Sequence, residues 1–145
     1  MSGVSISFFD TSALVPLLFT RHKSHAAAIA CFSRIPREQR ACGLHSLAEI
    51  YNFATKLGNP DRATPDQALS MLQSVRSNLN IVRPTTDDYF EAVVQLTKLN
   101  LGGPLIYDAL LLQAARKVNA DTIYTCDLKH FHELAPDLAS RIRTP

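Results

Sequence analysis

Val4-Ser5-Ile6-Ser7-Phe8-Phe9-Asp10-Thr11-Ser12-Ala13-Leu14 is the stretch on which the fold turns. Val4–Phe9 alternates Val, Ile and Phe with Ser and stops at Asp10, the pattern of a strand ending in a polar turn. From Ser12 the apolar spacing becomes helical, so a helix is expected over Ser12–Phe19. Outward from this stretch the alternation continues. Ser24–Ile35 has helical spacing, Arg34–Gln39 is a polar turn around Pro36, and Ala41–Leu44 is a short strand. A helix from Ser46 to about Leu57 is closed by Gly58-Asn59-Pro60, and Thr64-Pro65-Asp66-Gln67 opens the next with a capping box. Leu79–Val82 reads as a strand, Thr86–Leu99 as a helix, and Gly102-Gly103-Pro104 as a turn. Leu105–Val118 is the longest apolar helix, Asp121–Cys126 a strand ending in Asp127, and Leu138–Arg143 a short last strand. The expected fold is therefore α/β: a parallel β-sheet flanked by helices on both faces, with ligands bound beyond the carboxyl ends of its strands.

The 145 residues suit one domain over 1–145, and neither a repeat nor a linker divides them. Apolar residues at 46% and a net charge of +2 exclude disorder as the main state. With 5 Gly, 8 Pro and 3 Cys, collagen-like and disulfide-scaffold architectures fail too. Cys31, Cys42 and Cys126 form no CxxC pair and read as free thiols, which suits a reducing cytoplasm. No apolar run approaches a membrane span, and the first residues do not resemble a signal peptide, so a cytoplasmic protein without membrane contact is expected. Neither a GxxxxGK[ST] nor a GxGxxG pattern exists, which argues against a nucleotide cofactor.

Four carboxylates stand apart from the polar surface. Asp10 and Asp127 directly follow strands, Glu49 falls in the first turn of the helix after the second strand, and Asp108 lies amid Leu105, Ile106, Ala109 and Leu110. In a parallel sheet, strand ends and the starts of following helices share one edge, so all four can converge. Each has a simpler reading. Asp10 and Asp127 suit helix N-caps, Ser46-x-x-Glu49 is a capping box, and Asp108 suits the positive end of its helix. Together, however, they repel: a unit-charge pair 4 Å apart costs about 4 kcal/mol at an effective dielectric of 20. A divalent cation removes that cost. All-oxygen ligation points to Mg²⁺ or Mn²⁺, one or two ions, and thus to hydrolysis of phosphate esters.

Phe9-Asp10-Thr11-Ser12-Ala13-Leu14, Ser46-Leu47-Ala48-Glu49, Tyr107-Asp108-Ala109-Leu110-Leu111 and Thr125-Cys126-Asp127-Leu128-Lys129-His130-Phe131 resemble, in order and spacing, the acidic motifs of PIN-domain nucleases. The single-domain length resembles the VapC-type toxins of toxin–antitoxin pairs. The resemblance implies a PIN-like three-layer fold and cleavage of RNA with Mg²⁺ or Mn²⁺. It makes Asp10, Glu49, Asp108 and Asp127 catalytic metal ligands, with hydroxyls of Thr11 or Ser12 and of Thr125 nearby. Expected partners are an RNA substrate, a cognate antitoxin and a second copy in a homodimer. The last motif supplies one carboxylate only, which would hold a second ion weakly.

Arg21, Lys23 and Lys129 fall near the same edge and are candidates for RNA-phosphate contacts. His22 with His25, and His130 with His132, have no Cys or third His close by and read as solvated side chains, while His45 beside Ser46 makes no triad. Two rival functions are a non-catalytic interaction module with a degenerate metal site and a general phosphoesterase acting on DNA or nucleotides.

Overall fold

The computed structural model describes residues 3–145; Met1 and Ser2, the first two residues of the single domain expected over 1–145, lie outside the described residues. The elements, in chain order, are β1 (Ser7–Phe9), α1 (Thr11–Leu18), α2 (His25–Ser33), β2 (Arg40–Gly43), α3 (His45–Lys56), α4 (Pro65–Asn78), β3 (Asn80–Val82), α5 (Thr86–Leu99), α6 (Leu105–Lys117), β4 (Thr122–Tyr124), α7 (Leu128–Leu134) and β5 (Ile142–Arg143). The strands form one parallel sheet in the order β3-β2-β1-β4-β5, with Phe8 opposite Ala41 on one side and Ile123 on the other.

Successive strand residues face opposite sides of a sheet, so Phe8 and Phe9 seed two cores. Phe8 packs with Ala92, Leu96, Leu111, Ile123 and Phe131 beneath α5, α6 and α7. Phe9 packs with Leu14, Cys42, Ile50 and Val75 beneath α1, α3 and α4. Both phenylalanines are essentially fully buried, each contributing roughly 1.5–3 kcal/mol. With both faces covered, the molecule has the three-layer α/β arrangement expected. Gly43, at the end of β2, lets α6 lie close: a Cβ there would stand 2.5 Å from Cδ2 of the buried Leu111.

Several local expectations change. The first strand is three residues rather than Val4–Phe9, because Val4 is 62% exposed and the Ile6 N–H donates 2.9 Å to the Asp121 carboxylate instead of to a neighbouring strand. The second strand begins at Arg40 rather than Ala41. Helix α3 starts at His45 behind Leu44, which has no side-chain cap, so Ser46-x-x-Glu49 is not a capping box and Glu49 falls in the second turn. The Thr64 capping box forms as expected, Thr64 Oγ1 accepting from Gln67 N–H and Gln67 Oε1 from Thr64 N–H. Helix α7 follows Asp127 where only a cap was foreseen, and most of Leu138–Arg143 is a 3₁₀ turn (Pro136–Arg141), leaving Ile142–Arg143 as strand. Among the described residues, no helix is long and apolar enough to cross a membrane.

Candidate active site at the carboxyl edge of the sheet

Because β1 is central and pairs with β4, the turns after both strands lie side by side. Asp10 is held there by its N–H, which donates 2.9 Å to Tyr124 O, and it caps α1. Its Oδ2 accepts from Ser12 Oγ at 2.6 Å, Thr125 Oγ1 at 3.0 Å and Ser12 N–H at 3.3 Å. Each hydroxyl has one proton. Ser12 and Thr125 direct theirs to Asp10 and therefore accept in turn, Ser12 Oγ from Cys126 N–H at 2.9 Å and Thr125 Oγ1 from Asp127 N–H at 3.0 Å. This relay welds the start of α1 to the turn after β4. Asp10 is only 3% exposed. Burial pushes its carboxyl above the usual range, against the opposing pull of the Ser12 and Thr125 bonds.

Glu49 is fixed by a second relay. Thr11 Oγ1 donates 2.7 Å to Glu49 Oε1 and lies 2.8 Å from Ser46 Oγ, so Ser46 is the donor to Thr11. Ser46 is wholly buried, and its spacing to Glu49, which matches a capping box, serves this relay instead. Burial raises the Glu49 carboxyl, and Asp10 adds to the rise, while Thr11 and His45 oppose it.

Asp108, in the first turn of α6, has no hydrogen-bond partner among the described residues. Its carboxyl is pushed up to about 7, first by burial and then by Asp10, Glu49 and Asp127. Asp127 caps α7, accepting from His130 N–H at 3.4 Å, and its Oδ2 stands 2.6 Å from His130 Nδ1. One donor atom each of Asp108, Asp127 and His130 lies within 4.8 Å of the other two. Contrary to the expectation of a merely solvated side chain, His130, one turn past the cap, folds back onto Asp127, whose hydrogen bond raises its imidazole.

All four carboxylates line one cavity of about 890 Å³, with Thr11 and Ser12; Thr125 stands behind Asp10. Caps and cavity groups are thus the same residues at Asp10 and Asp127. Of the three expected phosphate-contacting cations, Lys23 lines the cavity. Arg21 does not: it pairs with Asp61 at 3.3 Å along a neighbouring apolar cavity. Lys129 lies on the exposed side of α7, away from the lining. Cys126 also lines the cavity, but burial and the nearby Asp10 raise its thiol, which keeps it protonated and a poor ligand. His22 and Asn52 are further lining residues. The donor set suits a hard divalent cation: carboxylate oxygens predominate, two are pinned by hydroxyl relays, and their mutual repulsion is offset only in part, by His130 and His45.

The PIN domain model matches residues 7–135. Ribonuclease VapC27 of Mycobacterium tuberculosis is 33% identical over 112 residues, 77% of this chain and 78% of that protein. Among solved structures, Mycobacterium tuberculosis VapC20, described as a sarcin-ricin loop cleaving toxin, is similar with a TM-score of 0.70 at 18% identity, covering 86% of this chain and 92% of that one. VapBC2 from Rickettsia felis, bound to a DNA fragment from their promoter, gives a TM-score of 0.62 at 22% identity, covering 89% and 92%.

Proposed function

The chain belongs to the PIN-domain family, and from that premise we propose that it is a metal-dependent endoribonuclease hydrolysing RNA phosphodiester bonds, the toxin of a toxin–antitoxin pair. The observation that carries this reading is the convergence of Asp10, Glu49, Asp108 and Asp127 on one cavity at the carboxyl edge of the sheet. These four are the residues that would hold Mg²⁺ or Mn²⁺, one ion or two. Such an ion, when bound, lowers the pKa of a water and stabilises charge on the attacked phosphate.

The chain's own groups prepare that chemistry. Three donors on Oδ2 keep the Asp10 carboxylate from rotating, and Thr11 does the same for Glu49. The Asp108 carboxyl, raised to about 7 by burial and its three acidic neighbours, would give up its proton more readily once a cation binds beside it. Lys23, at the lining, is placed to meet an RNA phosphate. The identity with ribonuclease VapC27 supports RNA as substrate, and the assembly in the Rickettsia felis VapBC2 structure supports an antitoxin partner. We read residues 1–145 as one nuclease domain, cytoplasmic and homodimeric.

Purified protein incubated with single-stranded RNA and DNA, with Mg²⁺ or Mn²⁺ and then with EDTA, tests the reading. Cleavage of RNA that stops in EDTA is expected. Cleavage that persists in EDTA overturns the metal role, and equal cleavage of DNA marks a general phosphoesterase. Expression in a bacterial host should arrest growth until the neighbouring gene is co-expressed.

A further inference from the structure

The four carboxylates are held with unequal care. Asp10 has three donors on one oxygen and Glu49 a short hydroxyl bond backed by buried Ser46. Among the described residues, Asp127 has only what His130 gives it: the backbone N–H at 3.4 Å, too long to hold a carboxylate alone, and ring Nδ1 at 2.6 Å. The carboxylate torsion of an aspartate is soft, so without the ring Asp127 would turn freely about its Cβ–Cγ bond. It is also the single carboxylate of the last motif, with no neighbour to substitute for it.

We propose that His130 is a positioning residue for Asp127, its Nδ1–H locking Oδ2 so that the carboxylate meets a divalent cation in one orientation. The inference rests on reading the cavity as a metal site. A carboxylate acceptor fixes the proton on Nδ1 and leaves Nε2 free, and the Asp108, Asp127 and His130 donor atoms cluster within 4.8 Å. Since the pair is partly solvent-exposed, the bond adds little to the stability of the fold; its effect is on orientation. Partners that orient metal ligands typically change metal affinity about 10–100-fold when removed.

The test is Mn²⁺ binding to the full chain, followed by electron paramagnetic resonance of the free ion, for wild type, His130→Ala, His130→Asn and His132→Ala. Asn presents an N–H near the position of Nδ1. His130→Ala should weaken binding about 10–100-fold, while His130→Asn and the exposed His132→Ala bind nearly as wild type. All four metal-free proteins should melt together, and cleavage by His130→Ala should recover as Mn²⁺ is raised. Unchanged affinity in His130→Ala overturns the proposal. So does His130→Asn binding as weakly as His130→Ala, which would mean that the ring itself is a ligand. Wild type that binds no Mn²⁺ overturns the metal reading beneath it, an outcome visible before any variant is compared.

Discussion

At the amino end of the sheet, the charged groups are matched to neighbours. Arg40 donates to Ile35 O at 2.9 Å, Phe32 O at 3.1 Å and Asn78 O at 3.4 Å, and stacks 3.9 Å over the Phe32 ring. Arg37 donates to Ser77 O and Asn80 Oδ1, and Asp121 accepts from Ile6 N–H. At the carboxyl end, four carboxylates crowd one cavity and Asp108 has no partner among the described residues. The same chain that satisfies its charged groups with hydrogen bonds at one edge crowds like charges at the other. The imbalance costs stability, and it is repaid only when something positive binds.

The largest expected contrast is between edges. Asp10→Asn and Asp108→Asn should each lower RNA cleavage by about 10³-fold or more, on the order of 4 kcal/mol of transition-state stabilisation, while Asp87→Asn on the exposed face of α5 changes nothing; a single-turnover assay decides it. A fully active Asp10→Asn would reduce Asp10 to a cap, since Asn caps about as well as Asp.

Next comes Arg40→Met at the opposite edge. Losing charge-assisted bonds to three carbonyls should cost about 1.5–3 kcal/mol in urea unfolding and leave the cleavage rate unchanged, the reverse of the Asp10→Asn result.

The third effect sharpens the cost of the imbalance. The Asp108 carboxyl is raised in the fold, to about 7 from an ordinary 3.8, so the metal-free fold loses stability as pH climbs from about 4 to about 7 and does not regain it above. Asp108→Asn has no such loss. Its melting temperature should match wild type near pH 4 and exceed it above pH 7. For a group only partly buried the gap is about 1–2 kcal/mol, or roughly 3–8 °C. Mn²⁺ should close the gap by stabilising wild type alone. A gap independent of pH would break the explanation.

Smallest is Arg116→Gln, which removes an exposed ion pair to Asp137 at 2.7 Å. Equilibrium unfolding should shift by about 0.5 kcal/mol or less.

The alternation of strand and helix signals from Val4–Phe9 to the tail made the layered sheet legible, since strands that alternate with helices pair in parallel and are covered on both faces. The four carboxylates were legible because strand ends and helix starts share an edge in any parallel sheet. What stayed hidden depends on side chains choosing between partners. Ser46 and Glu49 have the spacing of a capping box, yet with α3 starting at His45 both turn to Thr11. His130 differs from His132 only in facing Asp127, a matter of helix phase that emerges once α7 begins at Leu128. Arg21 lies as near to Asp10 in sequence as Lys23, but Asp61 draws it away.

Gly43 has no part in any charge, yet it decides how a helix seats on the sheet. It acts as a caliper: the absent side chain fixes how near α6 sits to the sheet, and α6 carries Asp108 at its leading turn. Leu111, the far end of whose side chain would have to yield to an added methyl group, borders a small cavity of about 190 Å³ into which it can turn. An alanine at this position would re-seat Leu111 and change the fit of α6 on the sheet before it reached Asp108. Every carboxylate would survive, and the cost would fall on packing alone.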